Sequence, residues 1–147
     1  MVQAFWKWSG ISPEKYAENA INLKLIKGED EFDYPYFFEL IRYGKNIIKQ
    51  NTISEQQMDE LLTIMALDNE NEDILDYAVD NINLANLDYF VHKGVVHLQP
   101  HARWQVAEFI RRKNLVCFQD YLEKLSRDPN DYVRKRAKNA MNLLTGK

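Results

Sequence analysis

A chain of 147 residues with one cysteine and a net charge of −3 is one domain's length and can close no internal disulfide. No stretch approaches the roughly 18 unbroken apolar residues of a membrane span, and residues 1–10 hold a single Lys and no secretory apolar run, which predicts a cytoplasmic protein with no membrane partner. The charge is divided, with 17 acids and 7 bases over residues 1–90, a net −10, and 5 acids and 12 bases over 91–147, a net +7.

Apolar residues recur at spacings of three and four along the chain, and β-branched residues never alternate for long, so every element is expected to be helical. Ser12 and Pro13 open the first helix, with Ser as N-cap and Pro at the first helical position, and it is expected to run to about residue 26. An acidic loop over 28–33 leads into a second helix over 35–49, apolar at Phe37, Phe38, Leu40, Ile41, Ile47 and Ile48. Ser54 with Gln57 is a capping box for a third helix ending near residue 67, and a polar turn separates it from a fourth carrying Ile74, Leu75, Ala78, Val79 and Ile82. A short helix near 87–93, a loop over 94–100 and a helix over 101–113 follow, then a last pair over 115–126 and 129–144, with Gly146 as the stop. Between Lys49 and Lys93 there are ten acids and no base, and this stretch is either a docking face or a solvated helix face.

Three of these helices repeat. Ile74, Ala78 and Ile82 align with Ala102, Val106 and Ile110, and these with Val133, Ala137 and Met141, at offsets of 28 and 31 residues. A hairpin of that period cannot cover its own apolar face and must stack on its neighbours. In the last unit Asp128, Pro129, Asn130 and Asp131 lead into Val133 and Arg134, and the segment 128–144 resembles the second half of a HEAT repeat. The resemblance extends from about residue 54 to the end. The middle unit keeps Arg103 but has His97 where Asp128 stands, and the acidic unit has Leu75 in place of the Arg. It implies an all-α, right-handed α-α superhelix of one domain, with a divergent unit over about 12–50 and repeats over about 54–84, 86–113 and 115–145.

In HEAT-like arrays the second helices line a concave, partner-facing side. The register above places Asp76, Asp80 and Asn83, then Trp104, Glu108 and Arg111, then Lys135, Asn139 and Asn142 across it as exposed, partner-binding positions. Trp104 is either an anchor for the partner or a residue packed between repeats. The resemblance assigns Asp128, Arg103 and Arg134 to a ladder bridging adjacent repeats. Trp6 and Trp8 are expected to cap the end of the core, and Cys117, in an apolar run, to be buried. His92, His97 and His101 could ligate zinc only in register, which Pro100 breaks, and neither a Cys-x-x-Cys nor a His-Glu pair stands near, so no metal is expected.

No nucleophile elbow, phosphate-cradling glycine loop or metalloprotease motif is present, and the His-Glu pairs of HEAT-containing iron hydroxylases are missing, so neither catalytic residues nor a cofactor is expected. The chain reads as a non-catalytic scaffold that binds another protein with a basic surface. In type it is similar to bacterial immunity proteins that neutralise toxins by electrostatically steered docking. The alternative is a nucleic-acid-binding or DNA-glycosylase-like HEAT protein using Trp104, Arg111, Arg112, Lys135 and Lys138, against which the acidic half would repel phosphate.

Overall fold

The computed structural model describes residues 1–20 and 30–144, and over them the chain is helical, with no strand. Nine α-helices follow one another among the described residues: α1 (Val2–Ser9), α2 (Pro13–Glu18), α3 (Phe37–Ile48), α4 (Glu55–Leu67), α5 (Asp73–Asn81), α6 (Leu84–Gly94), α7 (Pro100–Arg112), α8 (Gln119–Leu125) and α9 (Asp131–Leu143). No described helix is long and apolar enough to cross a membrane.

Local chemistry accounts for most of the boundaries. The Ser12 hydroxyl accepts the Lys15 amide ahead of Pro13, and Ser54 and Gln57 satisfy each other's backbone donors in a capping box, so α2 and α4 begin where side chains can take the first free amides. Asn130 accepts the amides of Tyr132 and Val133 and starts α9. Asn114 takes the left-handed conformation at φ 52°, which Asn tolerates better than most residues, and turns the chain out of α7.

Several boundaries differ from expectation, among them α6, which begins at Leu84 and not near 87. Residues 2–9 form a helix that short length and few caps conceal in the sequence. The helix from Pro13 ends at Glu18, and the rest of its expected span to residue 26 lies largely in 21–29, outside the described residues, as does Gly146. The helix expected over 115–126 is a 3-10 turn, Val116–Phe118, followed by the shorter α8. Cys117 lies in that turn and is exposed rather than buried, because the turn keeps the run 115–118 from presenting one apolar face inward.

Helix α4 is the centre of the molecule. Every residue from Leu61 to Asp68 is buried, the pattern of a helix enclosed on all sides, and α1, α3, α5, α6 and α7 all pack on it. Helix α5 lies against α3 and α7, and α7 against α9, so the second helices of the expected units adjoin in sequence order. The aligned positions Ile74, Ala78 and Ile82, Ala102, Val106 and Ile110, and Val133 and Ala137 are buried in one core, with Met141 half-buried at its edge. Helices α6 and α7 cross at Gly94, where a Cβ would lie 2.3 Å from Cγ2 of Val106. At the amino-terminal end Phe5, Trp6, Trp8, Tyr16 and Tyr34 interlock at ring separations of 5.2–5.8 Å, covering α4 from one side.

Candidate functional site

The expected face crosses α5, α7 and α9, and its centre is a carboxylate enclosed by cations. Glu108 on α7 accepts from Arg111 at 3.0 Å and from Arg112 at 3.2 Å, and Arg136 of α9 lies 3.6 Å away. Burial works to raise the Glu108 pKa, but the hydrogen bonds from Arg111 and Arg112 and the nearby Arg136 charge hold it below the usual carboxylate range. Arg112 also reaches across to Asp76 and, at 3.4 Å, to Glu72 beside α5. The network ties α5, α7 and α9 together with charge that is already paired.

Trp104 does not stand on this face as an exposed anchor. It is 4% exposed, because α9 closes over it: Tyr132 meets it edge-on at 5.4 Å and the Arg136 guanidinium lies 4.4 Å from the ring centre. Its indole N–H donates to Nδ1 of His101 at 2.9 Å, which leaves Nε2–H of His101 to donate to the Ala20 carbonyl at 2.7 Å. Burial lowers the His101 pKa, so this ring is a neutral pin between α7 and the end of α2.

The other expected positions divide. Asp76 and Asp80 are exposed on α5, as is Asp73 one turn before Asp76. Asn83 is elsewhere: its amide donates to the Gln50 carbonyl at 3.0 Å and, with the buried Asn86, holds the loop between α3 and α4. Lys135, Asn139 and Asn142 are exposed on α9, and the α9 side chains that meet Trp104 and Glu108 of α7 are Tyr132 and Arg136 instead. Arg112 was expected only in the nucleic-acid alternative, and Tyr132 and Arg136 were not anticipated. Their signal was the i, i+4 pairing of Tyr132 with Arg136, one helical step from the register chosen at Lys135.

Asp128 links α7 to the turn that leads into α9, while its contact with Arg134 is local to that turn. Arg103 grips the Asp128 carboxylate through two bonds of 2.8 and 3.0 Å and also donates to the carbonyls of His97 and Leu98, while Arg134 donates to the Asp128 carbonyl at 2.6 Å. The three histidines are dispersed. His97 accepts the Gln99 amide at Nδ1 and meets Asp59 at 2.9 Å through Nε2, and His92 faces the Tyr121 hydroxyl at 3.1 Å. Among the described residues no group of three His, Cys, Asp or Glu side chains is placed to hold a metal ion.

A second surface feature lies on the acidic half. Phe38 was expected on the apolar face of its helix, yet it is 84% exposed, since the buried face of α3 is made by Phe37, Leu40, Ile41, Gly44, Ile47 and Ile48 and position 38 falls about 100° from it. With Phe32 at 38%, it borders a cleft of about 450 Å³ floored by Phe37 and Ile41 and edged by Asp33, Asn71 and Asp73; Tyr36, at 61%, is exposed just before α3. Phe32 packs on Phe37 at 4.8 Å, and Tyr34 is held beneath by Phe5 and Trp8 at 5.3 Å. The turn Glu31–Asp33 is fixed by its own capping box and by the Tyr16 hydroxyl, which donates to Glu31; burial and then the Glu31 charge push the Tyr16 phenol pKa up. Comparison with protein-family models, with curated proteins and with solved structures found no match to this chain.

Proposed function

We propose that this protein is a non-catalytic helical scaffold that binds another protein, meeting a partner with a basic surface on the side where α5 presents its carboxylates. The observation that carries the reading is the exposed row Asp73, Asp76 and Asp80 on α5, of which Asp76 is also paired with Arg112 of α7, set within a stretch from Lys49 to Lys93 that holds no base of its own. Such a row raises the local concentration of a positive partner and speeds encounter. A HEAT-like superhelix fits the succession of α5, α7 and α9 and the Arg103–Asp128 link between units, and an immunity-type inhibitor of a basic toxin is the kind of role this charge suits. The nucleic-acid alternative is less well served, because Arg111, Arg112 and Arg136 face carboxylates of the same chain.

The test is kinetic. Once affinity purification from the native host has identified a partner and the complex has been reconstituted, Asp76→Asn with Asp80→Asn is expected to slow association several-fold at low salt. The difference should close as ionic strength rises and the Debye length falls to about 8 Å at 0.15 M. An association rate that is indifferent to both the substitutions and the salt would overturn the reading. Binding of duplex or single-stranded nucleic acid by the wild type, lost with Lys135→Gln and Lys138→Gln, would replace it with the alternative.

A further inference from the structure

The cleft beside α3 is not used by the electrostatic face, although Asp73 belongs to both. Its volume of about 450 Å³ is in the range of clefts that hold a ligand, about 300–1,000 Å³. Exposed Phe32 and Phe38 beside one apolar floor are uncommon on a surface with no use for them, and aromatic rings are enriched where proteins bind one another. The floor is firm: Phe37 and Ile41 are buried, and Tyr34 below is locked by the α1 aromatics. The insertion site therefore exists before a partner arrives.

Charge decides what enters. Residues 30–41 carry Asp30, Glu31, Asp33 and Glu39 and no base, and Asp73 closes the opposite rim. Arg42, one turn beyond Phe38, bounds the patch. An acidic segment or an anionic lipid surface would meet like charge at this rim, whereas Lys or Arg beside an inserted apolar group would meet opposite charge.

We propose that the cleft bordered by Phe32 and Phe38 is an anchor site for a basic segment of a partner protein, taking one aromatic or branched aliphatic side chain over Phe37 and Ile41 while a flanking Lys or Arg side chain meets Asp73. This rests on the reading of α5 as the face toward a basic partner. It adds specificity to that reading, because steering alone does not distinguish one basic protein from another.

The experiment is an amide NMR titration of the full chain at low salt with three synthetic peptides: a single central Phe flanked by lysines, the same peptide with Ala in place of Phe, and the Phe peptide flanked by glutamates. The lysine-flanked Phe peptide is expected to shift the amides of Phe32, Phe38 and Asn71. Affinity is expected to fall about tenfold with the Ala peptide, and equally for the Phe38→Ser chain with the Phe peptide. Phe38 is exposed, so that variant should melt with the wild type and remain a fair control. A silent cleft overturns the anchor site. In that event, amides of Asp76 and Asp80 that still respond to both lysine peptides leave the α5 face standing, and silence there as well removes both readings. Equal binding of the glutamate-flanked peptide overturns the basic partner. A concentration-dependent dimer seen by sedimentation in the wild type and lost in Phe38→Ser overturns the proposal by giving the cleft to a second copy of the chain.

Discussion

Asp68 is the residue whose chemistry departs furthest from its sequence context. It stands among ten acids that all read as surface charge, yet it is buried at the end of α4, where its carboxylate accepts the Ile74 amide at 2.8 Å and helps begin α5. Its other oxygen, Oδ1, has no hydrogen-bond partner among the described residues, and burial pushes the pKa up to about 7 from 3.8. A carboxyl held protonated when folded and ionised when unfolded lowers stability as pH rises between those two values. Thermal melts of wild type and Asp68→Asn from pH 4 to pH 8 should therefore diverge, the wild type losing stability relative to the variant as pH rises toward about 7. Asn keeps an acceptor for the Ile74 amide, so the fold should survive the change. Parallel curves would show that Asp68 does not titrate in this window.

At the scale of elements, the contact between α6 and α7 is set by the absence of a side chain. Gly94 ends α6, and a methyl group there would lie 2.3 Å from Val106 Cγ2 and 3.2 Å from its Cβ. Val106 is buried and β-branched, so it cannot swing away at low cost. Gly94→Ala should destabilise the protein by about 1–3 kcal/mol through overpacking, despite the better helix propensity of Ala. The smaller side chain of Val106→Ala in the same chain should recover part of that loss, which a two-site comparison of denaturation midpoints would read. An unchanged midpoint in Gly94→Ala would mean that the two helices are free to separate. The repeat register placed Val106 facing inward, but which backbone it would meet depends on a neighbour that no local pattern specifies.

The whole molecule is held together around α4 rather than only between consecutive pairs. A stacked array contacts nearest neighbours and can unfold unit by unit, whereas here α1, α3, α5, α6 and α7 share one buried helix. Trp6 and Trp8 report on the amino-terminal end and Trp104 on the α7–α9 contact. Denaturation followed by tryptophan fluorescence in a Trp104→Phe chain, and in a chain with Trp6→Phe and Trp8→Phe, should give the same midpoint as far-UV circular dichroism of each chain. Midpoints that separate would show independent units.

Helical class, most starts and the buried register were legible from residue order, because they rest on interactions within one turn or one helix: the Ser54–Gln57 box, Pro13 behind Ser12, and the inward spacing of Ile74, Ala78 and Ile82. Even the exposure of Phe38 could have been found, since it lies off the arc that Phe37, Leu40 and Ile41 share. What residue order did not determine was which exposed-looking positions another helix would cover. Trp104 is buried because Tyr132 and Arg136, 28 and 32 residues later, close over it; the charges of Asp76 and Glu108 are paired because Arg112 reaches both; and Asp68 is enclosed by the packing of α4 and α5. Periodicity fixes the face a helix turns inward, but exposure and pairing depend on neighbours distant in sequence, and those are settled only when the helices pack.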